Sequence, residues 1–544
     1  MSAGDGPGRG TLLLPAGLVG IAALALALHP GSAGAPRSAA AAVLTRGYGR
    51  AAPVLLIAAV GMALALLAGI RLSRPRTLAP GALGRARAAR RRDTRAMRRA
   101  RGWPGVRGHP QVRLGTYRGT SLWLPPDEHL LALGPTGSGK SSALAIPALL
   151  EWPGPAVVTD PKGELLRATA AHRRQLGRTV VFAPLMRPTD CWNPVLAIGS
   201  SEDALRTATF LMGKPPEKEP FWHDLARQLL HGLLIEAAHR QLPLAGILEA
   251  LQTQPAERLA GSLEHPAALP LVMGALSGGE RTAMGVVATL VAQLGAYGSG
   301  EVADATGHSD FDPSTVSSGG LMTLYCVVAP HDAPVLRGLI SALIACCWRA
   351  IFAAPPNPPA LFVLDEFAQL TNLPELPALA QLGRSQGARL MLLAQDLGSI
   401  TAAYGAEGAG ALWANTRTKV ILPGVSELEL LDRVSRLAGT TTLHRAQATA
   451  GWEAVGSQLL LHPDDVRRLR PGRALVLHGA DHPAVIRQRR WFRSRRLRRR
   501  VSRAGADPGG LRPAQGRPLR DWTGSVGPDH SRGPLPWELA DEDR

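Results

Sequence analysis

Two long apolar stretches without charged residues lie near the start of the chain, at residues 11–28 and 53–70. Each is about long enough to cross a bilayer as a helix, since a transmembrane helix needs roughly 20 apolar residues. A secretory signal peptide is the alternative for the first stretch, because Ala-rich sequence follows it. The second stretch favours a hairpin of two transmembrane helices, so residues 1–75 are interpreted as a membrane anchor.

From about residue 111 the pattern changes to short, continuous apolar runs, several of them separated by segments with helical spacing. Continuous runs are typical of strands that are covered on both faces of a sheet. The runs lie at residues 129–133, 155–159, 178–183, 321–329, 360–364, 388–394, 417–422 and 474–478. Residues 197–310 instead carry apolar side chains at helical spacing. The pattern therefore predicts an α/β domain over 111–196 and 311–492, with an all-α domain inserted at 197–310.

The formal net charge of +19 is concentrated in two segments of the 544-residue chain. Residues 71–107 contain thirteen Arg and one Asp, and residues 487–503 contain ten Arg and no acidic residue. The rest of the chain is close to neutral, which excludes a surface that binds nucleic acid over its whole extent. The loop between the two apolar stretches has only three Arg. The positive-inside rule then places both termini and the α/β domain in the cytoplasm, with the protein in the inner membrane as a multi-pass protein.

Most of each Arg-rich segment lies outside the predicted α/β domain. Residues 76–110 are interpreted as a basic linker next to the membrane, which sets the topology and contacts anionic lipid. Contact with nucleic acid and simple solvated charge are the alternatives for this linker. Residues 493–544 are rich in Arg, Pro and Gly and carry few apolar side chains. They are therefore predicted to form a basic, disordered tail.

The four cysteines, Cys191, Cys326, Cys346 and Cys347, show no C-x-x-C motif and no Cys/His spacing typical of a metal site. The adjacent pair lies in an apolar stretch with helical spacing. The cysteines thus indicate reduced, buried thiols of a cytosolic domain, with no zinc site and no disulfide framework.

The apolar run at 129–133 leads directly into a glycine-rich loop that matches G-x-x-x-x-G-K-[ST], the phosphate-binding loop. In this motif the glycines let backbone N–H groups point at one phosphate, and Lys140 supplies a positive charge to the β- and γ-phosphates. The Ser141 hydroxyl is a Mg²⁺ ligand, and the helix that follows directs its positive dipole end at the same anion. The predicted cofactors are ATP and Mg²⁺, and the predicted binding residues are Gly134, Pro135, Thr136, Gly137, Ser138, Gly139, Lys140, Ser141 and Ser142.

The apolar run at 360–364 ends in two acidic residues, which a phosphate-loop ATPase requires for its metal ion and its attacking water. Asp365 is predicted to complete the Mg²⁺ shell together with Ser141. Glu366 is predicted to act as the general base on the water. A pair of acids that caps the following helix is the alternative for these two positions.

Two further polar residues flank the run at 388–394. Gln395 ends the run at the carboxyl edge of the predicted sheet, where ligands bind in such folds. It is a candidate sensor of the γ-phosphate, and Arg384, which precedes the run, is a candidate arginine finger. From spacing alone, a structural polar residue is an equally good interpretation of each.

The motifs, taken in their order along the chain, resemble the conjugative coupling proteins of type IV secretion systems, the TraG/TraD-like group. The matching stretches are residues 134–141, 158–164, 192–194, 364–370, 383–385, 394–396 and 415–419, with weaker matches at 323–328, 461–465 and 469–472. The phosphate loop and the Asp-Glu pair are shared by many ATPases, whereas the 158–164 stretch and the order of the whole set are more specific. The resemblance covers roughly residues 110–492.

The resemblance implies a membrane-anchored, RecA-like motor domain with an inserted all-α domain, assembled as a hexamer with nucleotide between subunits. In that group Arg384 corresponds to the trans arginine and Gln395 to the catalytic-site glutamine. The implied partners are DNA (single- or double-stranded), a relaxase, the components of the secretion channel, and membrane lipid. The implied function is an ATPase that recruits relaxase-bound single-stranded DNA, or a protein substrate, to the channel and pumps it.

Two other functions are compatible with parts of the sequence. An FtsK-like pump of double-stranded DNA also joins membrane spans to a RecA-like motor, but through a longer linker and with a terminal winged-helix reader. A non-catalytic nucleotide-binding membrane adaptor is the second, and the presence of Asp365, Glu366, Arg384 and Gln395 disfavours it. The resemblance does not distinguish a DNA–relaxase cargo from an effector protein.

Overall fold

A computed structural model of the chain describes residues 86–98 and 110–503, except 217–219, 299, 319, 372, 384–385 and 448–450, together with positions 61–62, 65 and 512–513. The predicted spans at 11–28 and 53–70 therefore lie outside the described residues, apart from the helical positions 61, 62 and 65. Among the residues described, one helix, Ala333–Ala353, is long and apolar enough to cross a membrane. Most of that helix is buried inside the protein, as expected for a core helix.

The chain forms two compact units. The first comprises residues 1–82 and 445–454, of which the structure describes three helical positions and parts of two strands. The second comprises residues 83–444 and 455–544, and it contains the α/β fold.

The second unit is built on a mixed sheet of eleven described strands in the order β2-β1-β14-β13-β10-β3-β9-β8-β4-β7-β5. The seven strands from β10 to β5 are parallel, and β13, β14, β1 and β2 extend the sheet in antiparallel pairs. The strands are β1 Arg113–Tyr117, β2 Thr120–Trp123, β3 Leu130–Leu133, β4 Ala156–Asp160, β5 Thr179–Phe182, β6 Met186–Arg187, β7 Thr323–Val327, β8 Ala360–Asp365, β9 Ala388–Ala394, β10 Thr418–Ile421, β11 Thr440–Gln447, β12 Gly451–Leu459, β13 Arg473–His478, β14 Ala484–Arg487 and β15 Arg512–Pro513. Outside this sheet, β11 pairs with β12, and β6 with β15.

Helices cover both faces of the sheet. They are α1 Ile146–Glu151, α2 Glu164–Leu176, α3 Ser201–Met212, α4 Pro220–His239, α5 Leu244–Thr253, α6 Ala256–Gly261, α7 Ala268–Leu276, α8 Glu280–Leu294, α9 Gly300–Thr306, α10 Ala333–Ala353, α11 Phe367–Leu370, α12 Leu376–Leu382, α13 Leu397–Asn415, α14 Leu428–Ala438, α15 Pro463–Arg467 and α16 Arg495–Arg503. Successive side chains of a strand point to opposite faces. In β3, Leu131 and Leu133 enter one core while Leu130 and Ala132 enter the other. Burial on both faces explains why the central strands are continuous apolar runs.

Every secondary-structure element described between Ser201 and Thr306 is a helix, as the apolar spacing of this region predicts. Helix α4 packs against α3, α7 and α8, and nearly its whole C-terminal half is buried. The apolar side chains of these helices belong to the same core as Leu131, Leu133 and helix α10. The helical region and one face of the sheet therefore share a single core.

Both Arg-rich segments contain ordered structure, which corrects part of the sequence interpretation. In the predicted linker, Ala89 and Met97 are buried, and the Met97 carbonyl accepts a 2.7 Å hydrogen bond from the Trp123 N–H. The predicted disordered tail from 493 is wrong for residues 495–503, which form α16. Leu497 of this helix is buried, and the Arg500 guanidinium donates to the Leu150 carbonyl. A leucine and a valine four residues apart give the Arg-rich helix its apolar stripe.

A buried charge network lies at the edge of the sheet where β3 begins, opposite the phosphate loop. The Glu128 carboxylate accepts a 2.9 Å hydrogen bond from Thr418 Oγ1 and lies 3.1 Å from His478 Nε2. The other ring nitrogen of His478 is 2.7 Å from Asp481, and Arg417 lies 3.5 Å from Glu128. Burial opposes the charged imidazole, but the hydrogen bonds with Glu128 and Asp481 outweigh it and raise the pKa of His478.

This network predicts a pH-dependent contribution to stability. Because the pKa of His478 is raised on folding, its proton stabilises the fold fully below about pH 6.5, the pKa of a free histidine, and the contribution is lost as pH rises through the folded value. We expect the His478→Gln variant to be destabilised about 1 kcal/mol more at pH 6 than at pH 9, after allowance for solvent screening at the rim. The midpoint of urea unfolding at the two pH values measures this, with the exposed His239→Gln as control. Equal destabilisation at both pH values would contradict it.

Candidate nucleotide site

The phosphate loop follows β3 in the middle of the sheet. Gly137 and Gly139 have backbone φ angles of +81° and +112°, a region that residues other than glycine rarely adopt. These two glycines allow the tight curl, and a helical turn with π-type hydrogen bonding, Lys140–Ala145, leads into α1. The sequence predicts this order of strand, loop and helix, and the structure begins the helix at the lysine itself.

Strand β8 brings Asp365 to the loop. Ser141 Oγ donates a 3.1 Å hydrogen bond to Asp365 Oδ2. The second oxygen, Oδ1, is buried and has no hydrogen-bond partner among the described residues. A serine hydroxyl and a carboxylate with a free oxygen are ligands that Mg²⁺ prefers. The two residues predicted as metal ligands therefore lie together in a geometry that suits this ion.

Glu366 contacts the lysine of the loop. Its Oε1 lies 3.4 Å from Lys140 Nζ, and the same ammonium donates a hydrogen bond to the Gly134 carbonyl. Glu366 has φ +50° and ψ +40°, a left-handed conformation that costs a residue with a side chain roughly 1–2 kcal/mol. This backbone conformation allows β8 to end abruptly and α11 to begin at Phe367. The sequence predicts both residues for the site but not their mutual pairing.

Burial raises the pKa of two carboxyl groups near the loop, those of Asp365 and Asp160. Burial, together with the neighbouring negative charge of Glu366, raises the pKa of Asp365 to about 7. Burial also raises the pKa of Asp160 to about 6. Asp160 ends β4 and accepts a 2.8 Å hydrogen bond from the Leu166 N–H. Within the 158–164 stretch, Asp160 thus holds the start of α2 against the sheet.

Thr159 is a site residue that sequence reasoning missed. Its Oγ1 donates a 2.9 Å hydrogen bond to the backbone carbonyl of Asp365. This bond joins β4 to β8 at the carboxyl edge of the sheet and fixes the direction in which the Asp365 side chain leaves the strand. No local sequence signal identifies it, because the contact depends on which strands become neighbours.

The remaining predicted residues differ in how far the structure describes them. Strand β9 lies beside β3, and its last residue, Ala394, accepts a 3.2 Å hydrogen bond from the Gly134 N–H. Gln395 follows directly and is half-buried, so the strand end that carries it touches the loop. Arg384 lies outside the described residues. Its assignment as an arginine finger stays a prediction.

A second polar cluster lies where the helical region returns to the sheet. Possible metal-ligand atoms of Cys191, His308 and Asp310 lie within 4.8 Å of one another, which the sequence spacing did not indicate. Asp310 Oδ2 accepts a 2.7 Å hydrogen bond from the Cys191 N–H, and Oδ1 lies 3.2 Å from His308 Nε2. The hydrogen bond from Cys191 and the contact between His308 and Asp310 therefore account for this arrangement.

Comparison with known proteins finds one family along most of the chain. Residues 86–507 match the family model described as "Type IV secretory system Conjugative DNA transfer". Protein VirD4 of Agrobacterium fabrum is 27% identical over 406 residues, which cover 68% of this chain and 60% of VirD4. Conjugal transfer protein TraG of Escherichia coli is 26% identical over 432 residues, covering 67% of this chain and 66% of TraG. The chain thus spans about 60% of the length of the first curated relatives it matches.

Solved structures of a coupling protein share the fold. The unbound form of the bacterial conjugative coupling protein TrwBdeltaN70 superposes with a TM-score of 0.56 at 22% identity, over 76% of this chain and 95% of that one. The plasmid coupling protein TrwB in complex with the non-hydrolysable ATP analogue ADPNP gives a TM-score of 0.58 at 22% identity, over 76% and 96%. At this level of identity the likeness establishes the α/β fold with its mixed sheet.

Proposed function

This chain belongs to the type IV secretory system conjugative DNA transfer family, and we propose that it is a membrane-anchored ATPase that couples DNA to a secretion channel. The observation that carries the proposal is the contact of the phosphate loop with both acids of β8. Ser141 meets Asp365, and Lys140 meets Glu366. In this proposal the fold is RecA-like, with residues 197–310 as an inserted all-α domain.

ATP and Mg²⁺ are the proposed cofactors. TrwB is known in complex with ADPNP and in complex with ADP and Mg²⁺. Here Ser141 and Asp365 would hold the metal ion, which supplies positive charge to the phosphates. The loop N–H groups and Lys140 bind the phosphates, and Glu366 removes a proton from the attacking water. Gln395 senses the γ-phosphate, and Arg384 reaches the nucleotide of a neighbouring subunit.

The proposed partners follow from the family. A hexamer would place DNA in a central channel, with basic side chains contacting the phosphate backbone and not the bases. The helical region would recruit the relaxase or protein cargo. Residues 1–75 would hold the motor at the inner membrane, on its cytoplasmic side, next to the channel components and anionic lipid. Family membership disfavours the FtsK-like pump.

DNA-stimulated ATP hydrolysis tests this function. We expect single-stranded DNA to raise the turnover of the full-length chain in detergent several-fold at low salt. The stimulation should weaken as salt increases, because counterion release drives contact with phosphates. Turnover with and without an oligonucleotide, at two salt concentrations, measures the effect. Robust turnover that DNA does not change would argue for a protein cargo, and absence of turnover would argue for the non-catalytic adaptor.

A further inference from the structure

Three buried polar atoms without a hydrogen-bond partner in the described part of the chain belong to residues at the phosphate loop. They are Ser138 Oγ, Asp365 Oδ1 and Gln488 Nε2. A buried donor or acceptor that lacks a partner is costly, so such atoms point to a ligand that completes them. Ser138 belongs to the loop, and Asp365 contacts it through Ser141. Gln488 comes from the C-terminal end of the sheet and belongs to none of the motifs described above.

The fold holds Gln488 against the loop. Strand β14 ends at Arg487, and the Gln488 N–H then donates a 2.7 Å hydrogen bond to the Gly472 carbonyl. The chain continues into a short 3₁₀ turn, Trp491–Arg493, which packs against the helical turn Lys140–Ala145. Gly139 has no Cβ, so its surroundings are described from the position that a Cβ would occupy. That position lies 3.6 Å from Gln488 Oε1 and 3.8 Å from Ser142 Oγ. The Gln488 amide therefore borders the loop at Gly139, on the side toward which the Ser142 hydroxyl also lies.

This position differs from that of the catalytic acids. Asp365 approaches the loop through Ser141, and successive residues of a helical turn point roughly 100° apart. Lysine of a phosphate loop reaches the β- and γ-phosphates, while the backbone N–H groups hold the α- and β-phosphates. The Lys140–Glu366 pair thus marks the γ-phosphate end of the site. A donor beside Ser142 lies where the α-phosphate and the ribose would be.

We propose that Gln488 is a nucleotide-binding residue, whose Nε2 donates a hydrogen bond to the α-phosphate–ribose end of the bound nucleotide. The proposal rests on the proposed nucleotide-binding function and adds a residue from the last strand of the sheet to the site. The buried Gln488 Nε2 has no acceptor among the described residues. A ribose hydroxyl and a phosphate oxygen can both accept its hydrogen bond. The contact affects affinity and not the chemical step, because the reacting γ-phosphate lies at the other end of the site.

Nucleotide titrations of the full-length chain test the proposal. We expect Gln488→Ala to weaken the binding of ADP and of ADPNP by the same factor, about 5-fold, the size of one neutral hydrogen bond. The KM for ATP should rise by a similar factor with kcat within 2-fold of wild type. Gln488→Glu should lose more affinity, because a carboxylate cannot donate and repels phosphate. Gln254→Ala is the matched control, since Gln254 also has a buried side-chain atom without a partner but lies in the helical region.

The outcomes separate this proposal from the function on which it rests. Unchanged ADP affinity in Gln488→Ala would overturn it, and so would a loss confined to ADPNP, which would place the contact at the γ-phosphate. An equal loss in Gln254→Ala would indicate general destabilisation and would also overturn it. The nucleotide-binding function on which the proposal rests fails instead if the wild-type chain binds no nucleotide, or if Lys140→Ala binds it normally.

Discussion

Replacement of Lys140 by alanine is expected to reduce ATP turnover by about 10²–10³-fold, the loss caused by removing one preorganised group that stabilises transition-state charge. The Lys140 side chain is only 6% exposed beside the loop, and its contacts with Gly134 and Glu366 place its ammonium where the β- and γ-phosphates would bind. Without the Lys140 ammonium, no other lysine among the described residues of the loop offsets the negative charge of the phosphates. Phosphate release by the purified chain measures the effect.

Two further variants sharpen the Lys140 prediction. Lys140→Arg should also be inactive, because a planar guanidinium does not reproduce a compact ammonium in a closed loop. Lys214→Ala removes an exposed lysine outside the loop and should keep wild-type turnover. Activity in Lys140→Arg within 10-fold of wild type would show that positive charge alone, and not the shape of the group, is required.

Replacement of Glu366 by glutamine is expected to lower kcat by about 10²–10⁴-fold, the usual contribution of a positioned general base. Nucleotide binding should be retained or become tighter, because the neutral amide no longer attracts Lys140 away from the phosphates. The variant should therefore hold unhydrolysed ATP, which a filter-binding measurement of bound ATP and ADP detects. This split between binding and turnover distinguishes Glu366 from Lys140.

The control for Glu366 is Glu375→Gln, which removes an exposed carboxylate from the same part of the chain. It should leave kcat unchanged. A Glu366→Gln variant that keeps more than about a tenth of wild-type turnover would move the general base to another residue. Full turnover would favour the alternative in which the two acids cap the following helix, whereas full DNA transfer by Glu366→Gln without turnover would revive the non-catalytic adaptor.

Sequence patterns predict the central strands well because burial on both faces makes each of them a continuous apolar run. Strands β1, β2 and β14, at one end of the sheet, escape this reasoning. Polar residues or glycine interrupt the apolar residues of β1 and β2, and β14 has only three apolar residues before Arg487. The helix at 495–503 was hidden by its arginines, although Leu497 and Val501 give it an apolar stripe. The Arg-rich composition of residues 495–503 therefore led to a wrong prediction of disorder, although two apolar side chains attach this helix to the fold.

In the site as well, features encoded by a sequence motif are predictable, and contacts that depend on the fold are not. The loop and the Ser141–Asp365 contact are predictable, because the two motifs require each other for a metal ion. The Lys140–Glu366 pair depends on the left-handed backbone at Glu366, and the Thr159 contact depends on strand order. The position of Gln488 depends on a hydrogen bond to Gly472. None of these three features has a signal in the neighbouring residues.

In the proposed mechanism, the ion pair between Lys140 and Glu366 has a consequence for how a catalytic cycle would begin. Each residue neutralises the other in this pair, so the Glu366 carboxylate would not act on water while the pair is intact. An arriving phosphate competes with Glu366 for the ammonium, and binding is therefore an exchange of partners that lowers the net affinity. The same exchange releases the Glu366 carboxylate. Substrate binding and activation of the base thus become one coupled event.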